Sequence, residues 1–299
     1  MVCIVDSKKL KNMKKNKFIG SIPKLIDSFI EFKGENNVFI CEEDVILENS
    51  KIIFNCDNSI VYLSSNKHNY KININVYNNN VCFFGINNYF NDVVNVILSE
   101  SKNVVVGNGC LFSIGNWLRV ADPHLIYNAD TMRRINFSKS IYIGDHVWVG
   151  QNVMLLKGTK IGSGSILAAG AVVSGKKVNS NCVVGGNPVK IIKEDIFWDG
   201  ECVHSWTKEK TKKSIDYTSD KYIYYYNKEY LLQFEDIEKR LCSFTDINEK
   251  VEYIKNNLVG NDKNRFYIGK RFVFKKRYVK KGLKKLYSLL RKKFVVNVK

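Results

Sequence analysis

Aliphatic residues return at every sixth position over residues 143–178, at Ile143, Val149, Leu155, Ile161, Leu167 and Val173. The fifth residue of the first five units is never large: Val147, Val153, Thr159, Ser165 and Ala171. A period of six fits neither an α-helix nor an isolated strand. It is typical of a parallel β-helix, in which each unit makes one side of a triangular prism and three units, about 18 residues, close a coil. The aliphatic residue points into the prism, and the small residue packs beside it.

The same spacing occurs earlier in the chain, at Val106, Phe112 and Leu118. Cys110 falls on the small-residue position, so these units predict one more coil over 106–123. In this register the next inward position is 124, where His124 replaces an aliphatic residue, and the period then lapses. We therefore expect the chain to leave the prism at His124, form a loop over roughly 125–140, and rejoin the prism.

The segments around this loop carry recognisable motifs: Asp122-Pro123-His124-Leu125-Ile126-Tyr127, Arg134-Ile135-Asn136-Phe137, Ser140-Ile141-Tyr142-Ile143-Gly144-Asp145-His146-Val147-Trp148-Val149-Gly150 and Gly185-Gly186-Asn187-Pro188-Val189-Lys190. In these motifs the chain resembles the hexapeptide-repeat acyltransferases, and among them the bacterial O-acetyltransferases that modify surface polysaccharides. The nearest likeness is to enzymes that acetylate sialic acid in capsules or lipooligosaccharide. It is strong over about 104–192, weak over 38–103 and absent after about 210.

The resemblance implies a mainly β fold, a left-handed parallel β-helix, which assembles as a homotrimer. It also implies transfer of an acetyl group from acetyl-CoA, as co-substrate and without a metal, to a hydroxyl of a bacterial surface glycan. Such a transfer needs a general base for the acceptor hydroxyl. His124 is our candidate, because it alone stands in an expected aliphatic position at the start of a long loop. We interpret His68, His146 and His204 as structural or exposed.

The resemblance further suggests which residues hold the donor. Trp148 projects from a side of the prism, either as a wall against pantetheine or the sugar or as packing against a neighbouring subunit. Backbone groups around Gly150, Ala169 and Ser174 are implied to line the pantetheine arm. Lys190, in the exit from the repeats, is implied to meet the CoA phosphates as a point charge.

We divide the chain into an N-terminal cap region (1–36), a β-helix domain (37–192) and a C-terminal helical, basic extension (193–299). Within the cap, a helical spacing follows Ser21 and predicts a short amphipathic helix over the open end of the prism; its apolar residues are Ile22, Leu25, Ile26, Phe29 and Ile30. Within 38–105, asparagine suits tight corners. We interpret this stretch as irregular coils of the same prism, with inward residues six apart at Ile40, Ile46 and Ile52.

Two further helices are predicted in the extension, at about Asn227–Leu241 and Val279–Phe294. The formal net charge of the 299-residue chain is +18, and residues 263–299 carry fifteen Lys and Arg with no Asp or Glu. A basic amphipathic helix is the kind that lies on an anionic membrane face. The alternative is that its apolar stripe packs on the prism or on a trimer mate.

Hydropathy, cysteine spacing and the composition of the tail bear on where the protein acts and what it binds. No apolar run approaches the length of a membrane span, so we expect a cytoplasmic protein, at the inner face of the membrane if the tail binds lipid. The eight cysteines are scattered and are interpreted as reduced packing residues. The tail lacks the pattern of a nucleic-acid motif, and we do not expect nucleic acid as a partner.

Two alternatives remain open at this point. The first is an O- or N-acyltransferase of a nucleotide sugar or small saccharide, because the prism is common to all these enzymes. The second is a non-catalytic scaffold in which the prism presents a basic, anion-binding tail.

Overall fold

A computed structural model describes residues 2–269, and the predicted parallel β-helix is confirmed. Three faces of a prism are visited in turn as the chain coils. The first face contains Val2–Ile4, Phe29–Phe32, Lys51–Phe54, Ile72–Val76, Val94–Ile97, Trp117–Arg119, Met154–Leu156 and Val172–Val173. The second face contains Lys17–Gly20, Val38–Cys41, Ile60–Leu63, Val81–Phe84, Val104–Val106, Ile141–Ile143, Lys160–Ile161 and Lys177–Val178.

The third face has two parts. The first is the pair Lys24–Ile26 and Ile46–Glu48. The second is a six-stranded sheet of Tyr89–Phe90, Leu111–Phe112, Trp148–Val149, Ile166–Leu167, Val183–Gly185 and Lys190–Lys193. Pairing along the faces is parallel except at the two ends of the prism, where Val2–Ile4 and Lys190–Lys193 run antiparallel to their neighbours.

The predicted inward residues of the regular coils are confirmed. Ile143, Val149, Leu155, Ile161, Leu167 and Val173 lie in one core with Val106, Phe112, Leu118 and Cys110. Parallel pairing places Val106 beside Ile143 and Ile143 beside Ile161, as the six-residue register requires. Burial raises the pKa of the Cys110 thiol to about 12, which supports its interpretation as a packing residue.

The N-terminal coils have a different length. Hydrogen-bonded partners on successive coils are 22 residues apart there and 18 apart near Ser163. Corners with left-handed backbone, at Asn36, Asn58 and Asn79, accommodate the longer coil. The predicted register is therefore wrong at Ile40, which faces outward, and at Ile46, where Leu47 points into the core instead. Ile52 points into the core as expected.

The helix predicted after Ser21 is also wrong. Lys24–Ile26 and Phe29–Phe32 are strands of the first coil, separated by a corner at Asp27 with φ of 46°. The open end is covered instead by the antiparallel strand Val2–Ile4 and a 3-10 helix, Ser7–Asn12, which buries Leu10. The first coil thus begins within the segment assigned to the cap.

The C-terminal extension covers the outer side of the second face. Its helices are Lys208–Lys213, Phe234–Ser243 and Ile247–Asn257, and the second of these overlaps the later half of the helix predicted from Asn227. A second apolar core forms where the extension meets the sheet, including Ile40, Phe83, Tyr142, Phe234, Ile254 and Phe266. Because the strands are buried on both sides, they are continuous apolar runs. The predicted helix Val279–Phe294 lies outside the described residues.

Candidate active site

The loop between Arg119 and Ile141 leaves the prism at the edge between the first and second faces. Val120 is fully buried, and its N–H donates to Ile97 O at 3.3 Å. The N–H of Lys139 donates to Val120 O at 3.0 Å and closes the base of the loop. The chain therefore departs at residue 121 rather than at 124, because Val120 already fills the last inward position.

Asn136 joins the two limbs of the loop. Its Nδ2 donates to His124 O at 2.7 Å and to Asp122 Oδ2 at 3.2 Å, and its Oδ1 accepts from Ile126 N at 2.9 Å. The Asn136 side chain thus fixes the backbone on both sides of Leu125. Asn136 is 6% exposed, and a buried amide that satisfies several backbone groups is costly to remove.

Two ion pairs tie the loop to the coils beside it. Arg134 donates from Nη1 and Nη2 to the two carboxylate oxygens of Glu100, at 2.6 and 2.9 Å. The hydroxyl of Ser138 donates to the same carboxylate. The bonds from Arg134 and Ser138 lower the pKa of Glu100 to about 2. Lys157 binds Asp122, and this bond lowers the pKa of the Asp122 carboxyl.

His124 lies on the outer side of this network. It is exposed, so the prediction that it occupies an inward slot is wrong. Among residues 2–269 no group hydrogen-bonds its imidazole, and Asp122 is directed to Lys157 and Asn136 instead. The ring therefore faces solvent on a backbone that Asn136 holds in place.

Trp148 lies on the outward side of the third face, between Leu111 and Ile166, and is 38% exposed. Its ring packs against Trp198, with centroids 5.8 Å apart. Trp198 in turn stacks on His146 at 3.9 Å. The extension thus supports the Trp148 ring through Trp198. The six-residue repeat does not predict this contact.

His146 itself is sandwiched between Trp198 and Tyr222, whose ring centroid is 4.1 Å away. Its Nε2 lies 3.0 Å from Trp198 O, and burial lowers the pKa of the imidazole. A stacked, neutral ring fits the structural interpretation of this histidine.

The other predicted donor-binding residues are dispersed over the repeats. Gly150 is buried, and a Cβ there would lie 2.8 Å from Ala169 N, so the two positions are adjacent at the edge between the third and first faces. Ser174 is exposed at the loop edge, where the N–H of Gly175 donates to Lys157 O at 3.0 Å. Lys190 is exposed on the last strand.

These residues form two groups on one prism. His124 and Ser174 lie at the edge between the first and second faces, whereas Trp148 lies on the third face, with Gly150 and Ala169 at its far edge. One chain does not bring the two groups together.

Residues 2–269 contain no cluster of three or more His, Cys, Asp and Glu that could hold a metal ion. None of the helices in this described part of the chain is long and apolar enough to cross a bilayer.

Comparison with known proteins shows which proteins this chain is similar to. The family model for the bacterial transferase hexapeptide (six repeats) matches residues 140–175. A polysialic acid O-acetyltransferase of Escherichia coli O1:K1 / APEC is 41% identical over 102 residues, which are 34% of this chain and 33% of that relative. One of Neisseria meningitidis is 38% identical over 110 residues, which are 37% of this chain and 51% of that relative. The matches thus span a third and about half of these relatives.

Two solved structures share most of the prism. OatWY, a polysialic acid O-acetyltransferase, has a TM-score of 0.50 and 22% identity over 67% of this chain and 98% of its own, which supports the fold alone. NeuO, a polySia specific acetyltransferase, has a TM-score of 0.58 and 31% identity over 67% of this chain and 93% of its own. The chain therefore belongs to the hexapeptide-repeat acyltransferase family.

Proposed function

We propose that the protein is an acetyl-CoA-dependent O-acetyltransferase that acts on a hydroxyl of sialic acid in a bacterial surface glycan. The observation that carries this proposal is the exposed imidazole of His124, held on a braced loop at the edge of a hexapeptide prism. Its support from relatives is the 31% identity over 93% of NeuO, whose described substrate is polysialic acid.

His124 is the general base in this proposal. Its neutral imidazole takes the proton of the acceptor hydroxyl as that oxygen attacks the thioester carbonyl of acetyl-CoA. The tetrahedral intermediate collapses to the acetyl ester and expels the CoA thiolate, which takes the proton from the imidazolium. Hydrogen-bond donors aimed at the oxyanion complete the requirements of such a transfer.

A homotrimer is part of the proposal, because Trp148 and His124 lie on different parts of one prism. In a side-by-side assembly the loop of one subunit can meet the third face of the next, and Gly150, Ala169, Ser174 and Lys190 then contribute to donor binding. The loop has an apolar outer surface suited to such a contact, with Leu125 58% and Phe137 58% exposed. The extension covers the second face and also packs beside Trp148 on the third, so in this proposal assembly uses the first face and the exposed part of the third.

The test is an assay with radiolabelled acetyl-CoA against polysialic acid, CMP-sialic acid and free sialic acid. Transfer to polysialic acid is expected. Turnover of the nucleotide sugar alone would favour the small-saccharide alternative, and no transfer to any acceptor, together with binding of anions by the full chain, would favour the scaffold. Light scattering should give three times the 34.5 kDa chain mass. A fully active monomer would contradict the trimer.

A further inference from the structure

Among residues 2–269, Arg119 has no hydrogen-bond or ion-pair partner at a place where one is expected. It ends the strand Trp117–Arg119 on the outward side of the first face, directly before the loop that carries His124. Its Nε is buried, and the guanidinium makes no hydrogen bond or ion pair with any of residues 2–269. A partly buried cation without an acceptor is unfavourable.

The neighbours of Arg119 explain why it is unpaired. On the adjoining coils its partners in register are Ile97 and Leu156, whose aliphatic side chains offer no acceptor. The charge of Arg119 acts on Asp122, but that carboxylate is bound by Lys157 and by Asn136. The guanidinium is therefore left for an anion from outside this part of the chain.

An aromatic side chain lies beside this cation. Trp117, two residues earlier on the same strand, projects from the same outward face and is partly exposed. Its partners in register are Asn95 and Met154, and Met154 is 39% exposed. An indole next to a free guanidinium suits a ligand with an apolar ring face and a carboxylate, because the guanidinium fork matches carboxylate geometry.

We propose that Arg119 and Trp117 form the subsite that binds the carboxylate and ring of the acidic sugar acceptor. This inference rests on the proposed function, and it adds a specificity determinant to it. Arg119 holds the acceptor carboxylate with two N–H donors, Trp117 packs against the sugar ring, and the loop that begins two residues later presents His124 to the acceptor. A neutral sugar would leave the guanidinium without its partner, so the subsite selects acidic sugars.

The experiment compares sialic acid oligomers with the same oligomers reduced at the carboxyl to an alcohol. Arg119→Gln should raise the acceptor KM for the charged oligomer roughly 10-fold to 100-fold, the worth of a hydrogen-bonded charge, and leave the KM for acetyl-CoA unchanged. Arg119→Lys should fall between, because it keeps the charge and loses the fork. The reduced oligomer should be a poor acceptor that is insensitive to Arg119→Gln, whereas Trp117→Leu should weaken both acceptors.

Arg240→Gln is the matched control, since Arg240 is exposed on the extension and packs over Phe244. Equal losses on charged and reduced oligomers would make Arg119 merely structural and overturn the proposal. A raised KM for acetyl-CoA alone would assign the guanidinium to donor phosphates, which also overturns it. Calorimetric binding of both oligomers without acetyl-CoA tests the acceptor subsite separately from the proposed acetyltransferase function. A preference for the charged oligomer that depends on Arg119 supports the subsite even if no acetyl group is transferred.

Discussion

Asn136 Nδ2 donates to the backbone carbonyl of His124 at 2.7 Å, and this contact links the returning limb of the loop to the proposed base. Oδ1 of the same amide accepts from the N–H of Ile126. Because the imidazole itself has no partner among residues 2–269, the position of His124 is set through its backbone. Asn136 therefore positions the loop and His124 supplies the proposed base, so the two roles can be tested by separate substitutions.

His124→Ala should lower kcat by roughly 10²-fold to 10⁴-fold, the usual worth of a positioned general base. The exposed ring contributes no contact to the core, so thermal unfolding should not change. Steady-state kinetics with polysialic acid and circular dichroism measure the two quantities. His204→Ala, at another exposed histidine, is the control. Activity within a few-fold of wild type in His124→Ala would remove His124 as the base.

Asn136→Ala should lower kcat by roughly 10²-fold, because a displaced loop moves the base away from the reacting geometry. Unlike His124→Ala, it should also expose the loop to limited proteolysis, since His124 O and Ile126 N lose their partner. Asn128→Ala is the control, because Asn128 caps only the turn at the loop tip. A protease-resistant, fully active Asn136→Ala protein would show that the loop does not depend on this amide.

The clamp between Glu100 and Arg134 should make the loop sensitive to acid. The pKa of Glu100 is lowered from an ordinary 4.5 to about 2, first by the bond from Arg134. A carboxyl with a lowered pKa stabilises the folded state above its unfolded pKa, and the stability is lost as the pH falls through the folded pKa. The protection factors of the loop amides, which correct for the intrinsic exchange rate at each pH, should therefore fall from about pH 4.5 down to about 2.

Glu100→Gln should remove the larger part of this pH dependence and leave the part that comes from Asp122, whose pKa is lowered by Lys157. Glu229→Gln, at an exposed glutamate of the extension, should leave the whole pH dependence intact. The same profile in wild type and Glu100→Gln would mean that another group controls the loop.

The regular coils could be predicted because their signal is local. Inward residues repeat at six, so Ile143 and Leu155 identify their own positions. In the first coil the same reasoning fails. The spacing of Leu25, Ile26 and Phe29 suits a helix, but it arises from two strands separated by the corner at Asp27. A left-handed aspartate carries no pattern that distinguishes it from an aspartate within a helix.

The candidate site was predictable only in part for a related reason. His124 and Trp148 lie in local motifs, whereas their supports come from elsewhere in the chain. Trp198 packs on Trp148, and Glu100, one coil earlier, anchors the loop through Arg134. Such pairs depend on which coils become neighbours, and the sequence gives no spacing for them.

The buried pair of Asp145 and Arg265 should fasten the extension to the prism. Arg265 is 2% and Asp145 7% exposed, and they are joined at 3.0 Å. Arg265→Met leaves a buried carboxylate whose side-chain oxygens keep, among residues 2–269, a single donor, Asn108 N, which should cost about 3–5 kcal/mol of unfolding free energy.

Urea denaturation measures the cost, and Asp145→Asn combined with Arg265→Met should lose less than Arg265→Met alone. Lys160→Met is the comparison, because the pair of Lys160 and Glu235 is more exposed and should be worth about 0–1 kcal/mol. Equal effects of Arg265→Met and Lys160→Met would contradict the anchoring role.

The basic tail gives the last prediction, and the structure fixes where a truncation must begin. Arg265, Phe266 and Ile268 are buried, and the N–H of Ile268 donates to Ser180 Oγ at 3.0 Å, so deletion from residue 263 would damage the fold. Residues 270–299 still carry thirteen Lys and Arg and no acidic residue. At roughly 1 kcal/mol per basic residue near an anionic surface, four or five of these charges suffice for recruitment.

Deleting 270–299 should therefore abolish sedimentation with anionic liposomes and leave acetylation of soluble oligosaccharide largely intact. Binding by the full chain should weaken as salt is raised and be absent with neutral liposomes, because the attraction is electrostatic and screened. The interpretation fails if the truncated protein becomes insoluble or monomeric, since the tail would then pack within the assembly. It also fails if the truncated and full-length proteins bind the anionic liposomes equally, because the attraction would then come from lysines of the prism.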